Sequence, residues 1–293
     1  MKHNLRTLNQ AKTEARPLTW LTCYDYSFAR VMDETDLDLI LVGDSGGMVA
    51  LGYSDTVPVT MDEMIMLTAA VRRGAPGKFI VGDMPKGSYE VNDDEAIRNA
   101  MRFAKKGGAD AVKLEGGRDM ADRISAITKS GIPTFGHIGL TPQSATARGG
   151  YRVVGRDESE GKQLLADARS VQDAGAVAIL LEALPPTLAG QVTEALDIPV
   201  FGIGAGPSVD GQLLILHDLI GLYPDFRPKF AKCFVPDIAS GFANTLNAND
   251  DLVTLGRAER RDGVRELSRL AIEKYISATR DRSFPDETYS YSE

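Results

Sequence analysis

Cysteine is scarce in this 293-residue chain: Cys23 and Cys233 are its only two, far apart and outside any CxxC pair. A disulfide framework and a thiolate zinc site are therefore not expected. Basic clusters are missing as well. The formal charge is -8, so nucleic acid is not an expected partner. No uninterrupted apolar stretch is long enough to span a bilayer, which argues against a membrane partner. The opening "MKHNLRTLNQAKTEARP" lacks the apolar core of a secretory signal. Fixed-period internal repeats are absent too, which sets solenoids and propellers aside. A reducing, cytoplasmic setting is the expectation.

What is present is a pattern of short apolar runs separated by longer amphipathic stretches. The runs are "PLTWLTCYD" (17–25), "LDLILVGDS" (37–45), "KFIVGDMP" (78–85), "DAVKLEGG" (110–117), "IPTFGHIGL" (132–140), "VAILLEAL" (177–184), "IPVFGIGAG" (198–206) and a weaker "HDLIGLY" (217–223). Runs that are apolar throughout imply strands covered on both faces, hence a parallel sheet. Between most of them lie helix signals. "MDEMIMLTAAVRRGA" follows Thr60 as an N-cap and stops at Gly74. "NDDEAIRNAMRFAKKGGA" starts acidic and ends basic before a glycine pair, as a helix dipole prefers. Seven strong strands and one weak one, spaced by helix-length segments, point to an α/β fold, a (β/α)8 TIM barrel; a doubly wound sheet is the alternative. The expected division is a barrel over 1–235 and a C-terminal helical extension over 236–293, including a helix in "GRAERRDGVRELSRLAIEKYISATR".

Barrels carry their chemistry at the C-terminal ends of the strands. Here those ends hold Asp44 with Ser45, Asp83, Lys113 with Glu115, His137, and Glu182. One acidic strand end is ordinarily a turn or a helix cap, but closing a barrel gathers all of these on one rim. Three carboxylates, with no cysteine and few histidines, suit a hard cation bound through oxygen. Mg²⁺ takes one or two carboxylates and keeps water or substrate oxygens, which fits Asp44 and Asp83 as direct ligands and Glu115 as a direct or water-mediated one. Lys113 shares a strand face with Glu115 and is read as holding a substrate carboxylate or, with a depressed pKa, as a Schiff-base nucleophile. Glu182 ends an apolar strand, where burial would make it a general base; the competing reading is a structural carboxylate paired with Lys or Arg.

Other motifs say less. "GIGAG" (202–206) lacks GxGxxG spacing and reads as a close backbone approach or a tight turn. His137 reads as an acid, a ligand or, foremost, a satisfied core histidine. Tyr24, Asp25 and Tyr26 stand where they would support the site from behind.

Taken in order and spacing, "VGDSGGMVALGYSDTVPVTMDEM", "DMPKGSYE", "VKLEGG", "GHIGLTPQS", "GGYRVVGRD", "LLEALP", "FGIGAG" and "DGQLLILHD" resemble the ketopantoate hydroxymethyltransferase family over about residues 1–235. The resemblance implies a (β/α)8 barrel assembling into homo-oligomers, decamers in well-known members. It implies Mg²⁺-dependent transfer of a hydroxymethyl group from 5,10-methylenetetrahydrofolate to the small-molecule 2-oxo acid 3-methyl-2-oxobutanoate, giving 2-dehydropantoate for pantothenate biosynthesis. Carried over by motif, Asp44, Asp83 and Glu115 surround the metal. Asp44, Ser45, Asp83 and Lys113 bind the oxo acid, and Glu182 accepts the proton. The chain departs from the family pattern at Gly46, where leucine is common, at Lys86, where an aromatic residue is usual, at "SATARGG", and in a longer C-terminal region. The runners-up are another Mg²⁺-dependent 2-oxo acid C–C lyase or mutase of the phosphoenolpyruvate mutase and isocitrate lyase type, and a paralogue with altered oxo acid specificity. Against the first, "TFGHIGL" lacks the cysteine of the isocitrate lyase stretch.

Overall fold

The computed structural model describes residues 2–145, 149–238 and 263–292. Eight parallel strands close into a barrel in chain order, each bonded to the next and the last to the first. They are β1 (Leu18–Thr22), β2 (Leu39–Val42), β3 (Phe79–Asp83), β4 (Ala111–Glu115), β5 (Thr134–Gly139), β6 (Ala178–Glu182), β7 (Val200–Ile203) and β8 (Gly211–Leu214). The first seven fall inside the apolar runs. The eighth does not: residues 217–223, expected as a weak strand, begin inside a short helix, Leu216–Leu219, and β8 is "GQLL" just upstream. Burial explains the shift, because a four-residue strand covered on both sides needs neither length nor alternation. No helix separates β7 from β8; residues 204–210 connect them as a loop.

The helices obey their local signals. Met61–Gly74 opens with a capping box in which Thr60 and Glu63 satisfy each other's backbone N–H groups. Asp93–Arg102 is capped by Asn92 and runs through a wider turn to Gly108, whose φ of 73° suits glycine. The C-terminal helix, Gly263–Arg280, completes the outer layer at the β8–β1 seam. There the buried Tyr275 hydroxyl lies 2.6 Å from the Gln212 carbonyl and 3.1 Å from that of Trp20. Residues 256–262 of the expected helical stretch lie outside the described residues.

Inside the barrel, the odd-numbered strands contribute one aromatic layer: Trp20, Phe79, Phe135 and Phe201. Trp20 packs on Phe201 with ring centroids 4.9 Å apart and on Phe135 at 5.5 Å. Alternate strands filling one layer is how a barrel packs its interior. The layer floors the site: His137 lies two residues beyond Phe135 and Asp83 four beyond Phe79, on the same strand faces. At the opposite end, buried Asp38 just before β2 accepts from the Thr19 N–H and hydroxyl, both at 2.8 Å, and meets His3 and Arg16. Arg280 of the C-terminal helix lies 3.7 Å from the same carboxylate.

Candidate active site

The register of β3 to β6 sets five ionisable side chains side by side. Asp83 pairs with Lys113 across β3 and β4, Glu115 with His137 across β4 and β5, and Gly139 with Glu182 across β5 and β6. Lys113 Nζ lies 2.7 Å from Asp83 Oδ1 and 3.2 Å from His137 Nδ1. His137 Nε2 lies 3.1 Å from Glu182 Oε2. Asp83, Lys113, Glu115 and His137 are all buried, while the Glu182 side chain keeps 14% of its surface and so reaches the mouth.

Asp44 follows β2, and its backbone N–H donates to Asp83 Oδ2 at 3.1 Å. Gly43 just before it permits this turn, since a Cβ there would stand 2.9 Å from Ser45 Oγ. Burial, then the charges of Asp83 and Glu115, push the Asp44 carboxyl up. Burial is also the main force pushing Glu115 up to about 8. Lys113 goes the other way from a Schiff-base amine. Burial opposes its charge, but Asp83, Glu115 and Asp44 outweigh it and hold the ammonium above the ordinary lysine range.

Gln143, which sequence reasoning passed over, ties the acids together. Its Nε2 donates to Asp44 Oδ2 at 2.8 Å and to the Met84 carbonyl at 3.0 Å, and its backbone N–H donates to Glu115 Oε2 at 3.1 Å. Tyr89, buried beneath, donates its hydroxyl to Gln143 Oε1 at 2.7 Å. Both lie in loops rich in polar residues, so nothing in one sequence marks them apart from turn formers. Lys86, in the Tyr89 loop, pairs with Glu90 at 2.9 Å.

Ser45 meets the Tyr24 hydroxyl at 2.8 Å. Burial pushes the Tyr24 hydroxyl up, keeping it protonated. Gly46 makes room for that ring, because a Cβ there would stand 2.7 Å from Tyr24 Cδ1. Of its neighbours, Asp25 is the N-cap of helix Tyr26–Asp33 and Tyr26 is exposed. The "GIGAG" turn packs on protein: Cβ atoms at Gly204 and Gly206, both at positive φ, would strike Phe230 and Pro186.

Two sequence readings change. Among the described residues Glu182 has no Lys or Arg partner; burial pushes its carboxyl up, and the nearby His137 only partly offsets that. His137 is not a core histidine set apart from the site, since Lys113 lies 3.2 Å from its Nδ1 and Glu182 3.1 Å from its Nε2.

Among the described residues no group of three His, Cys, Asp or Glu side chains forms a ready-made metal cage. The donor set is nonetheless one that Mg²⁺ uses, two buried carboxylates with room for substrate and water oxygens. The mutual repulsion that raises Asp44 is what a divalent cation offsets. A cavity of about 270 Å³ opens nearby, lined by Gly139, Leu140, Ala145, Gly150, Arg152 and Val154. It borders β6, because the Leu140 and Val154 N–H groups bond the carbonyls of Glu182 and Ala183. A larger cavity, about 450 Å³, lies between Lys232, Lys274 and Asp281 and holds none of the strand-end groups.

No helix among the described residues is long and apolar enough to cross a membrane. Comparison with solved structures shows the same fold in distant proteins. Phosphonopyruvate hydrolase in complex with oxalate and Mg²⁺ matches with a TM-score of 0.56 and 13% identity, over 97% of this chain and 92% of that one. 2,3-Dimethylmalate lyase matches with a TM-score of 0.58 and 16% identity, over 94% and 97%. Sequence relatives are far nearer. The 3-methyl-2-oxobutanoate hydroxymethyltransferase of Moorella thermoacetica is 45% identical over 287 residues, 98% of this chain and 97% of that protein. That of Geobacter metallireducens is 44% identical over 291 residues, 99% of each. The sequence profile described as Ketopantoate hydroxymethyltransferase matches residues 2–255. The chain belongs to the ketopantoate hydroxymethyltransferase family of enzymes.

Proposed function

We propose that the chain transfers a hydroxymethyl group from 5,10-methylenetetrahydrofolate to 3-methyl-2-oxobutanoate, forming 2-dehydropantoate in an Mg²⁺-dependent reaction. The family membership supports the reaction class. The observation that carries the assignment to these residues is the row Asp83, Lys113, His137, Glu182, which sets an acid-rich half of the rim against a carboxylate with no Lys or Arg partner among the described residues.

Asp44 and Asp83 would hold Mg²⁺, with Glu115 direct or through water, and the cation would polarise the keto oxygen of the oxo acid. Lys113 stays charged and offsets the substrate carboxylate. Ser45, held by Tyr24, donates a hydrogen bond to the oxo acid. Glu182 takes the C3 proton: the C–H bond breaks, the proton passes to a carboxylate oxygen, and the electron pair enters the enolate. Burial suits Glu182 to this by raising its basicity. Water breaks the two C–N bonds of the donor's methylene bridge and leaves its two protons on the nitrogens of tetrahydrofolate; the enolate carbon bonds to the one-carbon unit, and the proton on Glu182 passes to the new hydroxyl oxygen. The cavity beside β6 gives a flat donor room next to the base. We assign the reaction to the cytoplasm and to a homo-oligomer, on the strength of the family.

Incubation with both substrates and Mg²⁺ tests the proposal. Formation of 2-dehydropantoate, lost on chelation, is expected. Turnover of phosphonopyruvate or a 2-alkylmalate in place of 3-methyl-2-oxobutanoate would overturn it in favour of a lyase or mutase.

A further inference from the structure

The reaction just proposed gives His137 no role, yet the imidazole touches both halves of the rim. It is buried on β5, two residues above Phe135 of the aromatic floor. Three groups face it. Lys113 Nζ lies 3.2 Å from Nδ1, Glu115 Oε1 lies 3.6 Å from the same nitrogen, and Glu182 Oε2 lies 3.1 Å from Nε2. A neutral imidazole has one N–H and one bare nitrogen. An ammonium has three donors and no acceptor, so the nitrogen nearest Lys113 must be the bare one. The proton then sits on Nε2, where Glu182 is the acceptor within reach. A doubly protonated ring would turn an Nδ1–H against the donors of the Lys113 ammonium, so the contact admits the neutral ring.

We infer that His137 is a positioning residue for the proton-abstracting carboxylate: Lys113 fixes its imidazole as the Nε2–H tautomer, and that N–H orients Glu182. This rests on the functional reading above. The contact to Glu182 lies within reach but off the N–H direction, and catalytic hydrogen bonds commonly align only once substrate is bound. Turning the carboxylate into the plane of the ring makes the bond with one oxygen and leaves the other to face the substrate. The lysine that offsets the substrate's charge thereby also sets the orientation of the base, through one side chain.

The chain has three histidines, so solid-state ¹⁵N spectra of the full-length protein labelled at histidine are simple, and His137→Gln identifies the signal of interest. The expected spectrum shows a protonated Nε2 and a bare Nδ1; a protonated Nδ1 would mean that the ring donates to Glu115, and would overturn the inference. Kinetics supply the second arm, read as C3 deuterium exchange of 3-methyl-2-oxobutanoate with Mg²⁺. His137→Leu should lower kcat about 10- to 100-fold, the order lost when a catalytic group is misplaced by about an ångström, with KM changed less than about twofold. His137→Gln keeps an N–H donor for Glu182 and should recover kcat to within about fivefold of wild type. Equal loss in both variants, or a rise in KM at constant kcat, would show a structural role instead. If His137→Leu does not fold, the tautomer and the Gln variant still decide. No exchange in the wild type would defeat the functional reading, while the ¹⁵N spectrum would still accept or reject the tautomer.

Discussion

The side-chain amide of Gln143 donates to Asp44 Oδ2 at 2.8 Å from 99 residues away in sequence. Through its backbone N–H the same residue also holds Glu115, so two acids from β2 and β4 are oriented by one turn after β5. A carboxylate that binds a cation through one oxygen needs its other oxygen held, and Gln143 is placed to do this for Asp44 in the proposed Mg²⁺ site. Gln143→Leu should therefore weaken Mg²⁺ binding about 10- to 100-fold by isothermal titration calorimetry. It should also cost about 1–3 kcal/mol of stability, because the Tyr89 hydroxyl and the Met84 carbonyl lose a buried partner. Unchanged Mg²⁺ affinity in a folded variant would detach Gln143 from the metal site.

Gly46 is explained by its neighbour. A leucine at this position must displace the Tyr24 ring, whose hydroxyl holds Ser45. Overpacking of this kind costs about 1–3 kcal/mol. Gly46→Leu should raise KM for the oxo acid by loosening Ser45, and pairing it with Tyr24→Ala should restore stability but not KM. A Gly46→Leu enzyme with wild-type KM would show that Tyr24 and Ser45 move together without consequence.

At the other end of the barrel, buried Asp38 contributes a pH-dependent part of the stability. Burial pushes Asp38 up, but hydrogen bonds from His3 and Thr19 and the nearby Arg280 outweigh it, leaving its carboxyl at about 2. A carboxyl lowered in the folded state stabilises the fold above its unfolded pKa of about 4, and that contribution fades as pH falls through 2. The shift corresponds to about 2 kcal/mol at neutral pH. Asp38→Asn should lower denaturant stability by at least that amount at pH 7, and the gap to wild type should narrow as pH drops from 4 towards 2. A gap independent of pH would locate the loss in packing rather than in charge.

Much of this arrangement is legible in the sequence. Strands covered on both faces announce themselves as unbroken apolar runs, and β1 to β7 did so. The acids at their ends became a site on paper because a closed barrel leaves them no other place to be. What stayed hidden depended on contacts between distant segments. Nothing in "GQLL" distinguishes it from a loop until β1 and β7 are placed on either side of it, whereas the apolar spacing of "HDLIGLY" imitates a strand. Gln143 and Tyr89 are polar residues in turns, like many that cap or solvate. His137 reads as a core histidine because its burial is visible in the apolar run, while the Glu182 carboxylate 3.1 Å from its Nε2 is visible only in three dimensions.

The central claim is that Glu182 removes the C3 proton of 3-methyl-2-oxobutanoate. Proton exchange into D₂O with Mg²⁺ and no folate, followed by NMR, isolates that step. Burial raises the Glu182 carboxyl above the ordinary range, and the reaction needs it deprotonated. Exchange should accordingly be fast near neutral pH, fall away as pH drops through that raised value, and be lost in Glu182→Gln. Exchange in Glu182→Gln at the wild-type rate, with the same acid limb, would contradict the account.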